Sequence, residues 1–363
     1  MPEIHAARRA RAQAQLAELE ADAVLITAPP NVRYLTGLAS SNAALLLPAD
    51  GGGVLATDSR YQLAAERDAA DLELVLGRFI EPLLATEAAR RGWHRLAVET
   101  HHLTVEQYQQ VGAAADDASL LTFGKKIEEL RTVKDPSELE LIATACRITD
   151  QALADVLAMI RPGLSEHGLA VALDHRMAEL GAERPAFDTI VASGPNGALP
   201  HHAPSGRPLR RGDLITMDFG AQFAGYHADM TRTVALGDPA DWQRDLYQLV
   251  ATAQRAGCLA GRPGAGLREV DAAARDVIAE AGHGEHFGHG LGHGVGLEVH
   301  EAPMIGYGST GKLEDCVSVT VEPGVYLPGR GGVRIEDVLI VGAGAADGAA
   351  EILTRTTKEL LAL

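Results

Sequence analysis

Hydrophobic positions along the first 127 residues form short runs separated by segments of helical period. Residues 5–20 have polar, helix-favouring spacing. Ala23–Thr27 (AVLIT) has the length and character of a buried strand, and Pro29-Pro30 ends it. Ala43–Leu47 and Val54–Ala56 flank the turn-forming Ala49–Gly53 and predict a hairpin. Arg60–Asp68 and Val105–Ala115 suit helices. Strands interleaved with helices predict a mixed sheet.

A polar stretch around residues 124–137 marks the end of this unit, and the boundary is set after residue 127. Asp135-Pro136-Ser137-Glu138 then opens a helix: Asp135 caps it, Pro136 takes the first helical position and Glu138 reaches back as in a capping box. Leu139, Ile142, Cys146, Ile148, Leu153, Val156 and Ile160 keep an apolar stripe until Pro162-Gly163. Further helical patterns lie near 165–180, 240–260 and 267–281. Strand-like segments are Thr189–Ala192, Leu214–Phe219, Tyr226–Leu236, Val317–Val321 and Val333–Val341. The expectation is an α/β (α+β) protein of two domains, 1–127 and 128–363, with no internal repeat.

Composition narrows the classes. A chain of 363 residues with 46% apolar and 22% charged residues is ordinary for a two-domain globular protein. A net charge of −17 argues against a nucleic-acid partner and against an anionic membrane, because both need basic patches. Cys146, Cys258 and Cys316 are few and far apart, and read as reduced thiols. The first residues have no apolar core of signal-peptide type, and no apolar run approaches the ~18 residues of a membrane span. The expected location is the cytoplasm.

Two strand pairs carry the candidate chemistry. If Leu214–Phe219 and Tyr226–Leu236 form a hairpin turning near 223–224, Asp218 lies opposite Asp229. If Val317–Val325 and Val333–Val341 turn about Gly329, Glu322 lies opposite Glu336. Like charges facing each other destabilise a sheet, and an acid inside an apolar strand costs desolvation. Either pair alone fits a surface strand; two such pairs call for a compensating cation. The glycine-rich segment Gly288–Glu301 adds His289, His293 and His300, while His283 and His286 fit no such scheme and read as loop residues. Four carboxylates and one imidazole suit two divalent cations. Oxygen-rich ligation favours manganese or cobalt, with zinc or iron also compatible.

The blocks Thr216–Gly220, Ala228–Thr233, Gly288–Glu301, Thr320–Gly324 and Gly332–Asp337 resemble the signature segments of the pita-bread metallopeptidases, a superfamily that holds methionine aminopeptidase, prolidase, aminopeptidase P and creatinase. Asn31–Gly37 and Thr57–Tyr61 are similar to the creatinase-type N-terminal domain of prolidase and aminopeptidase P. The resemblance spans nearly the whole chain. It implies a creatinase-like N-terminal mixed-sheet domain and a C-terminal pita-bread domain. It also implies that Asp218 chelates one metal, Asp229 and Glu336 bridge both, and His293 and Glu322 hold the other. His289, His300 and, in the block Ser193–His201, His201 match histidines that act on the substrate.

Paired cations lower the pKa of a shared water and polarise the scissile carbonyl, while neutral imidazoles stabilise an oxyanion or move protons. Arg334 and Thr231 share strand faces with Glu336 and Asp229 and are candidates to orient those ligands; Arg334 can instead touch substrate or form a plain salt bridge. Tyr326 is a candidate for the pocket wall. The implied activity is hydrolysis of the Xaa-Pro bond of proline-containing peptides, with a lean to an aminopeptidase P-like enzyme that also takes dipeptides. A strict dipeptidase (prolidase) is the alternative, and an inactive binding protein a remote one. A strict dipeptidase needs an arginine clamp for the substrate carboxylate, for which Arg33, Arg60 and Arg334 are candidates. A homodimer is also implied.

Overall fold

The computed structural model describes residues 2–342 and 348–363. The chain divides into two compact units, Met1–Arg131 and Thr132–Leu363.

The first unit is built on a six-stranded sheet in the order Glu73–Leu76, Val54–Thr57, Ala43–Pro48, Ala23–Ile26, Arg95–Val98, Ser119–Thr122. Ala23–Ile26 pairs antiparallel with Ala43–Pro48 and parallel with Arg95–Val98, so the sheet is mixed as the alternation of elements predicts. Ala23–Ile26 is buried throughout, which is why it reads as a continuous apolar run. The hairpin pairs Ala44 with Ala56 and Leu45 with Leu55. Helices Ile80–Arg90 and Val105–Ala114 contribute Leu84, Ala88 and Val111 to a core with Leu25 and Leu46.

Two expectations change here. The N-terminal helix stops at Ala14 and resumes as Leu16–Leu19, with Glu20 in a left-handed conformation (φ 48°) closing it. The helix expected from Arg60 begins at Gln62, because Asp58 captures the backbone N–H of Arg60 (3.0 Å) in a preceding turn. The Arg60 side chain is exposed and paired with Asp58 (2.7 Å), the salt bridge of an ordinary surface residue.

The second unit packs four helices on a system of small sheets. Pro136–Val156 starts with the expected capping box: Asp135 accepts from Ser137 N (3.0 Å) and Glu138 N (3.1 Å), and Glu138 accepts from Asp135 N (3.0 Å). Together with Glu166–Glu179 it covers the three-stranded sheet Met230–Ala235, Leu214–Phe219, Ile190–Ser193 through Leu153, Leu173, Met217 and Phe219. Asp241–Ala260 and Leu267–Glu280 cover the other half, through Val250, Val270, Val319 and Leu339. That half holds the sheet Glu301–Ile305, Gly292–Gly294, Ser318–Val321, Asp337–Ile340, Glu351–Ile352 and the two-stranded hairpin Gly324–Leu327 with Gly331–Arg334. Among the described residues no helix is long and apolar enough to cross a membrane.

Both key strand pairs are interrupted at three of the four acids, while Asp218 stands inside the strand Leu214–Phe219. Tyr226–Leu236 is two strands, Tyr226–His227 and Met230–Ala235, with Asp229 in the gap. Val333–Val341 is likewise split into Gly331–Arg334 and Asp337–Ile340 around Glu336, and Glu322 falls between Ser318–Val321 and Gly324–Leu327. At these gaps the backbone bonds sideways: Glu322 N donates to Leu291 O (2.8 Å) and Glu336 N to Thr231 O (3.1 Å). The gaps thus stitch neighbouring segments together while satisfying buried amides.

Candidate active site

The second hairpin keeps the expected register. Val321 pairs with Asp337 and Gly324 with Arg334, which sets Glu322 across from Glu336. The first hairpin is shifted by two residues. Its turn is Ala224-Gly225, both at positive φ (48° and 85°), and Asp218 pairs with Thr231 rather than facing Asp229. Because side chains alternate with period two, Asp229 stays on the Asp218 side of the ladder.

The two hairpins lie against each other through side chains. Thr231 Oγ1 donates to Glu336 Oε2 (2.7 Å) and accepts from Arg334 Nε (3.0 Å). Thr233 Oγ1 donates to Arg334 O (3.0 Å). Arg232 passes beneath, donating to Glu336 O (2.5 Å), Thr231 O (3.0 Å) and Asp337 Oδ1 (2.7 Å). Asp337 is wholly buried and also accepts from Gln254 (2.7 Å), Thr354 (2.8 Å) and Lys358 (2.7 Å).

Asp218, Asp229, His293, Glu322 and Glu336 all line one cavity of about 510 Å³. Ligand atoms of Asp229, His293 and Glu336 lie within 4.8 Å of one another. His293 Nε2 is 3.4 Å from Glu322 Oε1 and 3.7 Å from Asp229 Oδ2. Its Nδ1 faces the Gly294 carbonyl (3.0 Å), which can only accept, so the proton sits on Nδ1 and the Nε2 lone pair points at the acids. Burial pushes the Asp229 and Glu336 carboxyls well above their ordinary range, with the neighbouring acids adding to it, and pushes Glu322 up to about 8. Asp218 Oδ1 and Asp229 Oδ1 are buried without a hydrogen-bond partner. Four clustered acids, two orphaned oxygens and an imidazole lone pair aimed among them fit divalent cations.

The surrounding residues divide by what they touch. Arg334, 4% exposed, is committed: Nη2 to Asp218 Oδ2 (2.6 Å), Nη1 to Tyr326 OH (2.9 Å) and Pro200 O (3.3 Å). It orients the Asp218 carboxylate, and its fork is not free to clamp a substrate. Tyr326 lines the cavity, and its hydroxyl lies 2.9 Å from His289 Nε2. His289 Nδ1 donates to Gly290 O (2.8 Å), so Tyr326 donates to Nε2 and accepts from Arg334. Burial lowers the pKa of His289 and of His293 to about 4, and lowers that of His300, so these rings are neutral near pH 7. His300 lies edge-on to His293, with centroids 4.3 Å apart. His201 lines the cavity, whereas His202 bonds to Glu166 (2.9 Å). His283 and His286 lie off this cavity, in and beside the short turn Gly284–His286. Spacing arguments did not single out Phe187, Ile190, Val299 and Met304, which form the cavity's apolar wall. Of these Ile190 lies in the expected strand Thr189–Ala192 and Val299 in the segment Gly288–Glu301, while Phe187 and Met304 carried no sequence signal.

The description "Metallopeptidase family M24" matches residues 140–343, and "Creatinase/Prolidase N-terminal domain" matches residues 8–133. A solved structure of an Xaa-Pro dipeptidase from Bacillus anthracis is similar at a TM-score of 0.94 and 38% identity, covering 99% of this chain and 100% of that one. The Xaa-Pro dipeptidase of Pyrococcus horikoshii is 34% identical over 343 residues, 94% of each protein. The X-Pro aminopeptidase structure from Thermotoga maritima gives a TM-score of 0.90 at 34% identity, with 98% and 99% coverage. With both domains matched in order along its length, the chain belongs to metallopeptidase family M24, in the branch that carries a creatinase/prolidase N-terminal domain.

Proposed function

We propose that the protein is a metal-dependent Xaa-Pro dipeptidase, cleaving the bond before proline in short peptides. The observation that carries the reading is the cluster of four carboxylates and His293, with Asp229, Glu336 and His293 buried and two orphaned oxygens, opening on a cavity walled by His201, His289 and His300. The relatives named as dipeptidases shift the balance from the aminopeptidase P-like activity favoured by the sequence alone to the strict dipeptidase. The likeness to the Thermotoga aminopeptidase keeps longer Xaa-Pro peptides as a second reading.

Asp218, Asp229, His293, Glu322 and Glu336 would hold two divalent cations, manganese being the first expectation. Bound there, such cations acidify water and polarise a carbonyl. The chain's own residues do the rest. Arg334 and Thr231 fix the Asp218 and Glu336 carboxylates. His300, neutral and lining the cavity, is set to hold a proton for the departing proline nitrogen. His201 faces the substrate, and His289 is held by Tyr326 at the cavity wall. The apolar wall of Phe187, Ile190 and Val299 excludes water from the bond being cleaved. The protein acts as a homodimer in the cytoplasm; a single monomeric species by light scattering at micromolar concentration would count against the dimer.

The test is release of the N-terminal residue from matched Xaa-Pro and Xaa-Pro-Yaa peptides by chelated protein, with and without manganese, cobalt or zinc. Metal-dependent cleavage of the dipeptide alone is expected. Cleavage of both assigns the aminopeptidase, and cleavage of neither overturns the reading.

A further inference from the structure

His201 reaches the cavity from a loop, residues 194–205, that has little regular structure beyond the short turn Gly194–Ala198. Something must fix that loop if His201 is to meet a substrate with useful precision. Glu166, the first residue of helix Glu166–Glu179, lies under it with no solvent exposure. Its Oε1 accepts from Ser193 N (2.8 Å), Ser193 Oγ (2.7 Å) and Asn196 Nδ2 (3.0 Å). Its Oε2 accepts from Ser205 N (3.1 Å), Ser205 Oγ (2.6 Å) and His202 Nε2 (2.9 Å). One carboxylate therefore holds the start, the middle and the end of the loop. Burial pushes this carboxyl up, but the hydrogen bonds from Ser205, Ser193, His202 and Asn196 outweigh burial and hold it down at about 2. It stays charged, which makes each of those bonds stronger than a neutral one.

The other side of the loop is fixed by close backbone approach. A Cβ on Gly332 would lie 2.2 Å from Gly197 O, and a Cβ on Gly197 would lie 3.1 Å from Gly332 N. Neither residue bears a side chain, so the loop seats against the hairpin that carries Arg334. Arg334 in turn donates to Pro200 O, one residue before His201.

We propose that Glu166 is a positioning residue, which sets His201 for the substrate by gathering Ser193, Asn196, His202 and Ser205 around one buried charge. The helix, through its first residue, thereby serves the active site as well as the core. The proposal rests on the Xaa-Pro peptidase reading for its kinetic readout, and on hydrogen exchange for a readout that does not need it.

The test compares Glu166→Gln in the parent and in a His201→Ala background, with manganese present and Xaa-Pro dipeptide as substrate. Glu166→Gln is expected to lower kcat/KM about 10–100-fold in the parent and by less than about 3-fold once His201 is gone, because two residues acting as a unit are not additive. Amide exchange should rise over residues 193–205 and not elsewhere in the second unit. Equal losses in both backgrounds, or exchange rising throughout the unit, would overturn the proposal. If Glu166→Gln does not fold, Ser205→Ala removes the hydroxyl donor to the same carboxylate, leaving the backbone N–H, and is read by the same cycle. Should the parent cleave no Xaa-Pro peptide at all, the functional reading falls, while localised exchange in residues 193–205 still decides the role of Glu166.

Discussion

Asp337→Ala is the sharpest probe of how the two hairpins are joined. Asp337 is buried, and its partner Arg232 is 3% exposed at the side chain. Arg232's other contacts are carbonyls of Thr231, Glu336 and Thr356, so removing Asp337 leaves a guanidinium charge buried without a carboxylate. Breaking a buried pair from one side costs about 3–5 kcal/mol. In a unit of this size each kcal/mol moves the melting temperature by roughly 2–4 °C, so the transition of the second unit should fall by roughly 6–20 °C. Lys358, the other cation on Asp337, is 34% exposed and can turn to solvent, so Lys358→Met should cost only about 0–1 kcal/mol. Burial pushes the Asp337 carboxyl up, yet Arg232 and Lys358 outweigh it and hold it below its ordinary value. The stabilisation is therefore present above the unfolded carboxylate range and is lost as pH falls through the lowered folded value. The parent–variant gap, measured by calorimetry, should be full at pH 7 and narrow in acid. Equal shifts for Asp337→Ala and Lys358→Met would refute the reasoning.

Asp229→Ala should abolish peptidase activity yet raise the melting temperature of chelated protein, since it removes one acid from a crowded buried cluster; retained full activity would sink the assignment of Asp229. Burial pushes Glu322 to about 8, above its ordinary 4.5, so its contribution favours the fold below pH 4.5 and is lost as pH rises through 8. Chelated protein should therefore melt at falling temperatures between those pH values, and saturating manganese should flatten the slope; a flat profile without metal contradicts this. Tyr326→Phe removes the hydroxyl between Arg334 and His289 and should lower kcat/KM about 10-fold with the fold intact by circular dichroism; unchanged kinetics would show that His289 needs no anchor.

Much of this architecture is legible in the sequence because its signals are local. The capping box at Asp135 and the turn about Gly329 are set by residues within a few positions of each other, and both elements form as expected. The first hairpin misled by two residues because Ala224 occupies a left-handed conformation that usually announces itself with glycine or asparagine. The strands Glu73–Leu76 and Ser119–Thr122 gave no clean pattern, being half-exposed and parallel to their neighbours. The contacts of Glu166, and of Asp337 at the end of the block Gly332–Asp337, were illegible for another reason. Their partners come from residues 193–205 and from 232, 254, 354 and 358, distances along the chain that no spacing rule connects. The acids themselves stood out because each was costly where it lay.

Both hairpins keep one register on either side of their interruptions, so the cluster behaves like a ruler graduated in steps of two residues. Beyond the tips at Ala224-Gly225 and Pro328–Arg330, added length only lengthens a turn. Between the tip and the acids, gain or loss of a single residue would turn one carboxylate out of the cavity and an apolar neighbour into it. Length variation is thus least costly at the two tips, where it forfeits only contacts such as Gly225 N–H to Glu183 and Arg330 over Trp242, and most costly a few residues away, where it turns a carboxylate out of the cavity.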